Sequence, residues 1–231
     1  MSVRIQYKES PYFRIYSISV VGSFNSFNSK QGMMQKDKMS WYIDVNLEPG
    51  EYFYKFIIND TVQLVDPLAN LYSVEENGAV WSIMVIDDEG YRLNNNQQHE
   101  LTIDEYILWG RITGADEEIP MNKKRFNLCI DEKVVARLGF TGVKGMHEVS
   151  LLWIEPNGSL YSYSQNSLCE DNIESPIYLW FWMDLDEINE DYFEGTWTIK
   201  LFIDGDYVLE DKIMINSGVV YQRYGNYRIE A

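Results

Sequence analysis

The chain has 231 residues, with 19 Lys plus Arg against 36 Asp plus Glu, a formal net charge of −17. At 45% hydrophobic and 15% aromatic residues it carries enough apolar surface for a packed core, which excludes disorder as the main state. The acidity argues against a nucleic-acid partner, since phosphate contact needs a clustered Lys/Arg face, and a (β/α)8 barrel with an added domain would exceed this length.

The opening Met1-Ser2-Val3-Arg4-Ile5-Gln6 has neither an apolar run nor a small-residue cleavage site. With no stretch of about 18 apolar residues, a cytoplasmic protein with no membrane contact is expected. Seventeen Tyr and seven Trp favour sheets. The first strands are read at Tyr12–Val21, Ser40–Asn46, Gly50–Ile58, Val62–Val65 and Ala79–Ile86, with turns at Glu48-Pro49-Gly50 and Asn59-Asp60. Asp66-Pro67 opens an irregular segment that runs to Asn77-Gly78.

Asp87-Asp88-Glu89-Gly90 and Asn94-Asn95-Asn96-Gln97-Gln98 are polar and aperiodic, as a linker would be. A second strand series follows at Glu105–Thr113, Arg125–Ile130, Lys133–Leu138, Glu148–Glu155, Ser159–Ser164, Ile177–Leu185, Thr196–Asp204 and Tyr207–Ile215. Asn157-Gly158 and Asp204-Gly205 are hairpin turns. In 197–203 the apolar residues alternate, so one face of that strand is buried. Asp186–Glu194 hints at a short helix. Residues 217–231, with Tyr221, Arg223, Tyr224, Tyr227 and Arg228, read as a tail strand or a partner-binding extension. The expected architecture is all-β, two tandem immunoglobulin-like sandwiches: 1–92, a linker at 93–102, and 103–231.

Three blocks carry a resemblance: Val20-Val21-Gly22-Ser23-Phe24-Asn25-Ser26-Phe27; Leu47-Glu48-Pro49-Gly50-Glu51-Tyr52-Phe53-Tyr54-Lys55-Phe56; and Asp66-Pro67 with Asn70. Over roughly 10–90 the chain resembles the glycogen-binding type of carbohydrate-binding module, found in the β subunit of AMP-activated protein kinase and beside starch-branching enzymes. The resemblance implies an early-set immunoglobulin-like fold and an α-glucan partner. It also implies a binding face at four positions. Phe27 stands where the family usually has a tryptophan, and Lys55 where its lysine hydrogen-bonds sugar hydroxyls. Gln63 falls at a second platform tryptophan, so that ring is missing, and Trp81 falls at a polar asparagine.

Such residue types suit a glucan: a flat amphipathic ring lies against the C–H face of a pyranose, and an ammonium group donates to its hydroxyls. This requires Phe27 and Lys55 to face solvent together. Each position has a plainer reading: Phe27 as a core plug, Lys55 on a solvated strand face, Trp81 in core or interface packing. Trp153, Trp180, Trp182 and Trp197 read as core tryptophans.

No catalytic motif is present. His99 and His147 lack metal-ligand spacing, the latter preceding a strand, and there is no HExxH, GxSxG or Walker loop. Asp184-Leu185-Asp186-Glu187 lacks the spacing of a Ca2+ loop. Cys129 and Cys169 lie outside CxxC spacing and read as reduced, buried thiols. No cofactor, metal or catalysis is expected. The functional expectation is a non-catalytic α-glucan-binding protein, with a structural or protein-interaction module that has lost sugar binding as the alternative.

Overall fold

Strict alternation makes the first strand: in Ser2–Lys8 (β1) Val3, Ile5 and Tyr7 are buried between exposed neighbours. The computed structural model describes residues 2–38, 40–69, 71–75, 79–92, 101–119, 122–170, 176–185 and 194–217. The strands that follow are β2 (Ile18–Gly22), β3 (Gln35–Asp37), β4 (Ser40–Asn46), β5 (Gly50–Ile58), β6 (Val62–Leu64), β7 (Leu71–Val74) and β8 (Val80–Ile86). The second series is β9 (Thr102–Trp109), β10 (Arg125–Asn127), β11 (Lys133–Thr141), β12 (Gly145–Ile154), β13 (Leu160–Glu170), β14 (Ile177–Asp184), β15 (Gly195–Ile203) and β16 (Asp206–Asn216).

They form four sheets. Sheet I is β1-β4-β3 and sheet II is β2-β5-β8-β7, with β6 added on β5. Sheet III is β14-β11-β9 and sheet IV is β10-β16-β15-β12-β13. Pairing is antiparallel except between β10 and β16. The described residues form an all-β fold of packed sheets, as expected.

Two cores result. Sheets III and IV enclose one, around Phe140, Phe181, Trp153, Trp197 and Leu201. Sheets I and II enclose the other, around Ile5, Tyr54, Phe56 and Ile58, yet this second cluster also contains Leu152 and Phe202 from sheet IV. On β12, Leu151 and Trp153 point to one core while Leu152 points to the other. Sheet IV is therefore packed on both faces, as the unbroken apolar run Leu151-Leu152-Trp153-Ile154 requires.

Several expectations are corrected. The strand expected at Tyr12–Val21 begins only at Ile18, and β1, β3 and β7 fall where no strand was expected. Loop 9–17 instead packs Phe13 and Ile15 on the first core. Strands β11 and β13 run past their expected ends, to Thr141 and Glu170. Trp153 and Trp197 are core residues, but Trp180 is only partly buried and Trp182 is 45% exposed on the outer face of sheet III. Cys129 and Cys169 are free but exposed, since neither closes a core position. His147 lies within β12, fully buried, with Nδ1 2.6 Å from Asp204 Oδ2. Residues 93–100, with His99, most of the expected helix 186–194, and the tail from 218 lie outside the described residues. Among the described residues no helix is long and apolar enough to cross a membrane.

The Asp204-Gly205 turn has φ of 51° and 80°, the left-handed pair a tight hairpin requires. A Cβ on Gly205 would lie 2.1 Å from the Val65 carbonyl oxygen, and Tyr7 Oη donates to the Gly205 carbonyl at 2.9 Å. Glycine here sets how closely sheet IV approaches sheets I and II. Gly205→Ala is expected to cost about 2–4 kcal/mol from strain and overlap, read as a Tm lower by several degrees in scanning calorimetry.

Candidate functional site

Loop 23–32 is built around Asn25. Its Oδ1 accepts from Gly22 N at 3.0 Å and its Nδ2 donates to the Val20 carbonyl at 2.9 Å. Gly32 lies so close to Val20 that a Cβ would sit 1.8 Å from the carbonyl oxygen. The next residues, Ser26 and Phe27, take left-handed φ of 53° and 56°, and Phe27 N donates to the Gly22 carbonyl at 2.9 Å. Non-glycine residues in that region carry about 1 kcal/mol of strain or more each, held here by the Asn25 clamp. The result turns the Phe27 ring outward, 52% exposed. It is no core plug.

Phe27 packs edge to face on Trp81, with centroids 5.3 Å apart and planes at 74°. Trp81, on β8, is half-buried, and its Nε1 has no hydrogen-bond partner among the described residues. Lys55 Nζ sits 5.1 Å from the Trp81 ring centroid, a cation–π contact. Strand register places Lys55 and Trp81 on the same outer face of sheet II, where Gln63 also lies through its pairing with Ile57. All four positions thus share one face. Gln63 stands exposed at the β6 edge, where its carbonyl accepts from Gln165 Nε2 of sheet IV at 2.6 Å.

The expected exposure of Lys55 is corrected. Its side chain is 2% exposed, with Nζ 3.8 Å from Glu148 Oε2 on β12. Alternation places Lys55 opposite Tyr54 and Phe56, but sheet IV and the Trp81 ring cover that side as well. Desolvation lowers the Lys55 pKa, against the pull of Glu148. Desolvation likewise raises Glu148, to about 7, although Lys55, Val65 N and Ser150 hold it down; Asp204 adds to the rise. Neither partner ionises with its usual ease. The ammonium group faces the seam between the sandwiches, away from water.

The Asp66-Pro67 block also turns inward. Asp66 is fully buried: Oδ2 accepts from Tyr54 Oη at 2.5 Å, Oδ1 accepts from Leu68 N at 2.8 Å, and Arg92 lies 3.5 Å away. Arg92 also donates to Tyr54 Oη at 3.1 Å and to the Leu68 carbonyl at 3.2 Å. Burial raises the Asp66 pKa despite these partners. This cluster fixes the segment after β6 to the sheet. Asn70 and Asn77-Gly78 lie outside the described residues, and among the described residues no His, Cys, Asp and Glu cluster is suited to hold a metal.

Phe27 and Trp81 together form a part-exposed aromatic surface on one face of sheet II. The family model described as the glycogen recognition site of AMP-activated protein kinase matches residues 3–92. The match begins within β1 and covers 90 of the 231 residues. No curated protein matches the chain. Among solved structures, an immunoglobulin-like protein from Pseudomonas aeruginosa overlaps 52% of this chain and 98% of its own at 16% identity and TM-score 0.36. A maltogenic amylase from S. marinus overlaps 94% of this chain at 15% identity and TM-score 0.30. A β-glucosidase from Listeria innocua in complex with glucose overlaps 58% at 10% identity and TM-score 0.34. This chain spans 29% of the amylase and 19% of the glucosidase. Overlaps this loose carry no functional argument.

The seam pair makes a pH signature. With its folded pKa raised from 4.5 to about 7, Glu148 contributes stability that is fully present below about pH 4.5 and is lost as pH rises through about 7. Wild type compared with Glu148→Gln is expected to lose roughly 3 kcal/mol of relative stability across that window, measured by urea unfolding. In Lys55→Met the Glu148 titration moves above 7, because the cation that lowers it is gone; side-chain carboxyl 13C shifts report it.

Proposed function

We propose that the protein is a non-catalytic α-glucan-binding protein. In this reading residues 1–92 form the recognition domain, 93–102 the linker, and 103–231 a second sandwich. One observation carries it: within a domain of the glycogen-recognition family, the Phe27 ring stands in solvent, edge-on to Trp81. A pyranose presents a C–H face and a rim of hydroxyls, and it lies on Phe27 while the Trp81 indole walls one side. Lys55 acts beneath this surface as a positioning residue, its charge under the Trp81 ring and its ammonium turned to Glu148. Gln63 flanks the face at its far edge and offers an amide in place of a second ring.

The withdrawal of Lys55 favours a second reading, a protein-interaction module that no longer binds sugar. Electrophoresis through native gels containing glycogen, with calorimetry against maltoheptaose, separates the two. On the proposed reading wild type is retarded, and Phe27→Ala weakens binding about tenfold or more, the loss of roughly 1.4 kcal/mol expected for one ring. Phe27 is exposed, so its Tm stays unchanged. Unretarded wild type with no heat of binding overturns the reading.

A further inference from the structure

Sheets I and II cover only part of the outer face of sheet IV. Beneath them lie Leu152 and Phe202. Beyond them the same face carries Thr198, Lys200, Glu210 and Lys212, brought level by the register of β15 with β16. Loop 9–17 and the Asn59-Asp60 turn overhang this stretch, leaving an open groove of about 750 Å3 between the sandwiches. That volume suits a small-molecule or short-oligomer ligand.

Two features set the groove apart. Tyr12 and Tyr16, at its rim, are 69% and 68% exposed, more than any other large hydrophobic side chain among the described residues. Tyr12 is held flat by stacking on Tyr207, with planes at 20° and centroids 5.8 Å apart, and Tyr16 lies under the Arg14 guanidinium at 5.0 Å. The second feature is charge. In a chain of 36 acids and 19 bases, the groove lining holds Arg14, Lys200 and Lys212 against Glu210 alone. Lys200 is committed, donating to the Tyr12 carbonyl at 2.5 Å and to Glu210 Oε2 at 2.7 Å. Lys212 is 64% exposed and stands 3.7 Å from the other Glu210 oxygen, and Arg14 is exposed. Their positive charge faces the open groove.

We propose that this groove is a second binding site, for an oligosaccharide that carries an acidic group. The tyrosine rings offer flat amphipathic surfaces for pyranose faces, and Asn157 and Ser159 at the lining offer hydroxyl partners. Arg14 and Lys212 pair with the acid, which is a phosphate ester or a uronate carboxylate. The site is formed by both sandwiches together, and it shares no lining residue with the Phe27–Trp81 surface. It stands whether or not that surface binds neutral glucan.

The test is calorimetry on the full chain carrying Phe27→Ala, which removes the first surface. Maltohexaose, a maltohexaose phosphate ester and hexagalacturonate are titrated separately. At least one acidic ligand is expected to bind ten times or more tighter than maltohexaose, with affinity falling as salt is raised; which one binds identifies the acid. Tyr16→Ala and Arg14→Ala, both at exposed positions, each weaken it about tenfold with unchanged Tm. Equal binding of the neutral hexamer, acidic-ligand binding that neither variant alters, or no binding at millimolar concentration overturns the proposal. Phe27→Ala without effect on glycogen retardation would overturn the neutral-glucan reading and leave this one standing.

Discussion

The arrangement depends on sheet IV having no solvent face over its middle. Leu151 and Trp153 serve the core shared with sheet III, and Leu152 and Phe202 serve the core under sheets I and II. Two buried faces tie the sandwiches together by apolar area, the dominant favourable term in folding. The polar ends of that face then set what happens on either side of the contact: Glu148 at one end meets Lys55, and Lys200 with Glu210 at the other borders the open groove.

That division explains how Lys55, expected at an exposed binding face, comes to lie inside. Burying two ions costs more than their attraction returns unless geometry is close, and 3.8 Å with one polar atom unmatched is not close. The opposed shifts of Lys55 and Glu148 follow. Such a pair adds little net stability, but it ties the position of sheet II to one place on β12, because a lost partner leaves the other buried and unmatched. The Trp81 ring closes the remaining side, so the same indole that meets Phe27 outside shields a cation within.

Much of the fold was legible. Ser40–Asn46 and Gly50–Ile58 are strands over the expected residues, and the Asp204-Gly205 hairpin follows from its dipeptide. β1 was missed although Val3, Ile5 and Tyr7 alternate, and the continuous apolar run at 151–154 was the available sign of a sheet buried on both sides. At the candidate site, alternation states which face Lys55 occupies but cannot state what covers that face. The cover comes from Glu148, 93 positions along the chain, which local pattern does not reach. Phe27 was ambiguous for a related reason: its outward turn comes from two successive left-handed residues clamped by Asn25, a feature of backbone torsion that residue type alone does not specify.

The clamp has an entropic meaning. A ring whose backbone is already set by Asn25 and by Gly32 against Val20 has little freedom left to lose when something lands on it. Recognition on such a platform needs no reshaping of the loop. On the proposed glucan-binding reading, a sugar unit would meet a surface already in shape, and little of its contact energy would be spent on ordering the loop.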